Sequence, residues 1–154
     1  MKEYSEYEDL NPNFKKALIN GMQDKAPFWR LIGMELVDAR KGWAKVRLPF
    51  AEKLKQPYGV AHGGSIFSPA DAAVAMALVG LVGRDESFTT VEMKINYLHP
   101  FRDGEITAEA RIIFKGGKTA IGDVEVRNDR GDLMAKALAT YLIFKNESRT
   151  DFPV

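Results

Sequence analysis

Between Gln56 and Gly83 the chain runs for 28 residues with Asp71 as its only charged side chain. Charged residues make up 28% of the chain, so average usage would place about eight in a stretch of that length. The wholly apolar part, Ala72 to Gly83, is 12 residues long, short of the ~20 needed to cross a bilayer. Its approach carries His62, Ser65, Ser68, Pro69 and Asp71. The run therefore predicts a helix buried inside a protein, beginning near Gly63 or Gly64 and ending near Gly80 to Gly83, where glycines mark a C-terminus. A helix apolar nearly all round must be wrapped by other structure. Pro69 falls inside it, which predicts either an irregular first turn or a second start with Ser68 as cap.

Downstream of the helix the pattern alternates with a two-residue period. In Thr89–His99, Val91, Met93, Ile95 and Tyr97 share one face and Glu92, Lys94 and Asn96 the other. Glu105–Phe114 alternates likewise, Lys115-Gly116-Gly117-Lys118 reads as a hairpin turn into a strand at Thr119–Arg127, and Asn128–Asp132 leads to a last strand at Leu133–Phe144. Ahead of the apolar helix, Leu31–Ala39 and Trp43–Pro49 read as a hairpin, and Pro12–Gln23 as a short helix with Phe14, Leu18 and Met22 on one side. Short connections imply an antiparallel sheet. The expected architecture is α+β: about six curved antiparallel strands around one long apolar helix, in a single domain with its core at about 28–144 and a polar tail at 145–154.

Composition narrows the chemistry. With no cysteine and only His62 and His99 as histidines, thiol nucleophiles, Fe–S clusters and a three-histidine metal site are excluded, and no metal is expected. A formal net charge of +1 gives no electrostatic reason for nucleic acid or an anionic membrane as partner. The start MKEYSEYEDL lacks a basic region leading into an apolar run, which makes a cytoplasmic location the expectation.

The run Gln56-Pro57-Tyr58-Gly59-Val60-Ala61-His62-Gly63-Gly64, followed by Ile66, Phe67 and Asp71, resembles the hotdog-fold acyl-CoA thioesterases. It is most similar to the phenylacetyl-CoA thioesterase-like branch, whose motif is Asn, five residues, His-Gly-Gly, then Asp nine after the His. The likeness continues through Met93–Pro100 and the Gly117-Lys118-Thr119 turn. The resemblance implies a homodimer, often paired into a homotetramer, binding an acyl-CoA substrate where two subunits meet. Coenzyme A would arrive as part of the substrate, and no separate cofactor is implied. Gly63 takes the family's oxyanion-donor position, Gln56 stands where the family has Asn, and Thr90 matches a position where a hydroxyl holds the attacking water in some relatives.

Thioester hydrolysis needs an activated water or carboxylate and donors for the developing oxyanion. A helix N-terminus supplies free N–H groups, and Gly63 and Gly64 present them without side chains. Asp71 is the candidate base or nucleophile, since a carboxylate in an uncharged run is poised for proton transfer; the sequence leaves both roles open. His62 either orients the glycine turn or touches the thioester carbonyl, and His99 reads as a strand-end residue. Ile66 and Phe67 are candidate acyl contacts, and Arg84, Arg102 and Lys118 candidate contacts for the phosphates of coenzyme A. Gly63 and Asp71 lie eight residues apart, about 12 Å along a continuous helix, too far to serve one thioester from one chain. Two other readings remain: a non-catalytic acyl-CoA binding or sensing protein, and a hotdog dehydratase or hydratase, whose paired His and carboxylate are not seen around His62.

Overall fold

The computed structural model describes residues 2–146. Three helices, α1 (Pro12–Lys25), α2 (Pro27–Ile32) and α3 (Gly63–Val79), accompany six strands: β1 (Glu35–Arg40), β2 (Trp43–Pro49), β3 (Glu86–Tyr97), β4 (Glu105–Lys115), β5 (Thr119–Asn128) and β6 (Leu133–Lys145). The strands form one sheet in the order β1-β2-β4-β5-β6-β3, antiparallel throughout. β1 and β3 are its edges. The sheet curves around α3, which packs against all six strands. Inward-facing small residues make this possible, and Gly122 of β5 lies directly against Val74 of α3. A Cβ there would stand 2.4 Å from Val74 Cγ1.

Three local readings change. Leu31 and Ile32 end α2 instead of opening a strand. Pro27 starts that helix at a position where its missing N–H costs nothing, and Gly33, at φ +85°, stops it in the left-handed region. α3 runs unbroken through Pro69, so neither an irregular first turn nor a second start occurs. In β3 the ladder to β6 shifts between Thr90 and Glu92, which leaves Val91 as a bulge, 61% exposed and off the face it was expected to share. The extra residue breaks the two-residue period.

The packed core also reaches back beyond residue 28: Leu10 is buried and Tyr4 packs edge-on against Trp43. Lys145 closes β6 opposite Glu86 and the Asn146 N–H donates to the Asp85 carbonyl, so neither belongs to a tail. The rest of the expected tail, 147–154, lies outside the described residues. Among those described, no helix is long and apolar enough to cross a membrane.

Candidate active site

Asp71 sits in the third turn of α3, where the helix crosses the β3–β6 end of the sheet. Thr90 and Tyr141 are direct cross-strand partners there, and both hydroxyls reach the same carboxylate oxygen. Thr90 Oγ1 donates to Asp71 Oδ1 at 2.9 Å and Tyr141 Oη at 2.6 Å. Asp71 Oδ2 has no hydrogen-bond partner among the described residues. The bulge at Val91 is what turns Thr90 inward, since unbroken alternation would put it on the face of Glu92 and Lys94. The same aspartate lines a cavity of about 390 Å³. Phe67 and Met76 of α3, Met22 of α1, Phe28 and Trp29 of α2, and Met34 give that cavity its apolar walls, and Asp71 is the one charged residue in them.

The N-terminus of α3 forms a second, separate site. His62 is the cap: its Nδ1 accepts the Gly64 N–H at 2.9 Å, which leaves the proton of the neutral ring on Nε2. Gly64 therefore spends its N–H on the cap, whereas the Gly63 N–H has no partner among the described residues. Tyr97 lies over Gly63, donating its hydroxyl to the Gly63 carbonyl at 3.1 Å. A Cβ on Gly63 would stand 3.1 Å from Tyr97 Cζ, so any larger residue there has to push the Tyr97 ring aside. A cavity of about 400 Å³ opens here, lined by Gly63, Ile66, Tyr97, His99 and Phe101 among others. It shares no lining residue with the Asp71 cavity.

The other sequence candidates scatter. Gln56 turns its side-chain carbonyl back onto the Tyr58 N–H at 2.8 Å and lines neither cavity. Ile66 belongs to the Gly63 cavity and Phe67 to that of Asp71. The basic residues do not converge. Arg102 follows Phe101, whose carbonyl accepts the Ala61 N–H beside the start of α3. Arg84 lines a cavity with Val79 and Gly80 at the other end of the helix, and Lys118 sits in the β4–β5 hairpin, its carbonyl bonded to Ile143. Sequence reasoning missed Tyr141, Tyr97 and the walls from α1 and α2, and read His99, which lines the Gly63 cavity, as a bystander. The signal for Tyr141 was present: Ala135, Ala137, Ala139, Tyr141 and Ile143 alternate onto the inner face of β6, and a lone hydroxyl there needs a partner.

Residues 58–135, half of the chain, match the thioesterase superfamily. The chain belongs to that superfamily. It is 31% identical to SSO1253 of Saccharolobus solfataricus over 137 residues, which span 89% of this chain and 91% of the relative. It is 30% identical to the 1,4-dihydroxy-2-naphthoyl-CoA hydrolase of Listeria monocytogenes over 114 residues, 74% of this chain and 93% of that one. The fold superposes on thioesterase HI1161 of Haemophilus influenzae with a TM-score of 0.81, covering 93% of this chain and 98% of that chain at 20% identity. The six-stranded sheet wrapped on α3 is thus the hotdog fold of the superfamily. Residues 58–135 leave out α1, α2 and Met34, which wall the Asp71 cavity, as well as β1, β2 and most of β6.

Proposed function

We propose that the protein hydrolyses an acyl- or aryl-acyl-CoA thioester to the free acid and coenzyme A, with Asp71 activating water and the Gly63 N–H holding the oxyanion. The observation that carries this reading is Asp71 itself. It is a lone carboxylate in an apolar cavity sized for a small organic group, with one oxygen anchored and the other free. Asp71 Oδ2 takes a proton from water as the water oxygen bonds to the carbonyl carbon. The carbonyl electron pair moves onto its oxygen, where an unpaired N–H at a helix N-terminus stabilises the charge. Collapse breaks the C–S bond, and the departing thiolate takes up the proton. The acyl group occupies the cavity between α3 and the N-terminal helices.

One chain supplies only half of this. α3 is continuous, so Gly63 and Asp71 stand about 12 Å apart along it, and reacting groups need to lie within roughly 3 Å of the carbonyl. A homodimer resolves the separation. β3 is an edge strand with Thr90, beside Asp71, near its middle and Tyr97, over Gly63, at its end. Pairing β3 antiparallel with its own copy, centred on Lys94 and with Val91 skipped as a bulge, sets Thr90 opposite the second copy's Tyr97. Each Asp71 then faces a Gly63 from the other chain, by one two-fold axis.

The test is release of free thiol from aryl-, short- and medium-chain acyl-CoAs. Asp71→Asn should lower kcat by about 10²- to 10⁴-fold, the usual worth of a general base. Co-assembled Asp71→Asn and Gly63→Val chains should recover activity that neither has alone, because each mixed dimer keeps one complete site. Absence of thiol release from every substrate, or no recovery in mixed dimers that do assemble, would overturn the respective part of the reading.

A further inference from the structure

We infer that Tyr141 is a positioning residue of the hydrolysis: its hydroxyl, aided by that of Thr90, pins Asp71 Oδ1 and commits Oδ2 to the attacking water. The inference rests on the proposed role of Asp71 and adds to it the group that orients the carboxylate. A carboxylate has two equivalent oxygens and a broad, two-fold side-chain torsion, so an unpinned Asp71 could present either oxygen at several angles. Two donors on one oxygen remove that freedom.

Several observations converge on Tyr141. It is 2% exposed and lies behind Asp71, outside the lining of the Asp71 cavity. Its single proton has two acceptors in reach, Asp71 Oδ1 at 2.6 Å and the Asp71 backbone carbonyl at 2.9 Å. The charged, shorter acceptor is the stronger. Burial first, and then the neighbouring Asp71 carboxylate, push the Tyr141 phenol far above its ordinary value, so it stays a neutral donor throughout any working pH. The ring alone would serve for packing, since it contacts Phe88 with centroids 6.0 Å apart and its neighbours on the inner face of β6 are alanines and Ile143. A phenylalanine would fill the same volume without the cost of burying a hydroxyl. The hydroxyl therefore serves Asp71.

The experiment is Tyr141→Phe, which keeps the ring and deletes the donor. A hydrogen bond to a charged group corresponds to roughly a tenfold to hundredfold effect, so kcat should fall by about that factor with KM changed less than about twofold. Thr90→Val, which removes the second donor from the opposite strand, should lower kcat in the same way by less. In the Asp71→Asn background Tyr141→Phe should cost nothing further. A Tyr141→Phe enzyme with the original kcat, alongside an inactive Asp71→Asn, would reduce Tyr141 to packing while the thioesterase reading stands. A fully active Asp71→Asn would remove that reading itself.

Discussion

Substituting Gly122 by alanine tests how tightly α3 is seated. The added Cβ would lie 2.4 Å from Val74 Cγ1, 2.9 Å from Cγ2 and 3.2 Å from Val74 Cβ. Rotating Val74 gives no relief, because a β-branched residue in a helix has one strongly preferred rotamer and the third contact is with Cβ itself. The helix must lift from the sheet. Overpacking of this kind costs about 1–3 kcal/mol, and in a chain of this size each kcal/mol lowers Tm by roughly 2–4 °C. The expected loss is therefore about 2–12 °C at fixed protein concentration. Val74 is one helical turn beyond Asp71, so lifting also lengthens the 2.6 Å contact from Tyr141, and thiol release should fall together with Tm. Val74→Ala in the same chain clears the methyls and should return most of both losses. Denaturant unfolding and thiol release on the wild type and the two variants decide the matter. Wild-type stability in Gly122→Ala, or no recovery in the double variant, would refute the seating argument.

Two more expectations concern the site. His62→Ala removes the cap on the Gly64 N–H and should cost about 1 kcal/mol in urea unfolding, whereas His62→Asn, a good N-cap, should retain most of it. The raised Tyr141 phenol predicts alkaline sensitivity: its contribution is complete below the ordinary tyrosine value of 10.0 and is lost as pH rises above it, because the unfolded chain then releases a proton that the folded chain keeps. Unfolding measured from pH 8 to 11 should show this loss, and Tyr141→Phe should flatten it.

The elements carrying strong periodicity were legible. The charge gap located α3 to within a residue at its start, and β2, β4, β5 and β6 lie within a residue or so of where alternation put them. The continuity of α3 was not legible: Pro69 predicted an irregular first turn or a second start, and Gly63 and Asp71 sit on one uninterrupted helix instead. Less legible was anything set by a partner distant in sequence. Leu31 and Ile32 read as the start of a strand because they are apolar, yet they close α2, which Pro27 opens, Gly33 stops and α1 packs against. Val91 looks like an inward strand residue until its pairing with β6 is known. Gln56 carries an amide where the motif asks for one, yet its longer side chain closes on its own turn. Tyr141 lies 70 residues from Asp71, and nothing local ties the two together.

The bulge at Val91 makes that position tolerant of both substitution and deletion. Its side chain is 61% exposed, so a different residue there disturbs little. Removing the residue would give an unbroken ladder to β6 in which Thr90 still pairs with Tyr141 and Met93 with Ala139, so Thr90 keeps Asp71 while Met93, Ile95 and Tyr97 keep their face. Flattening the bulge with the residue kept is what would turn one half of the strand over. The register of this one strand against β6, more than the identity of the residue at the bulge, keeps the two ends of the site in phase.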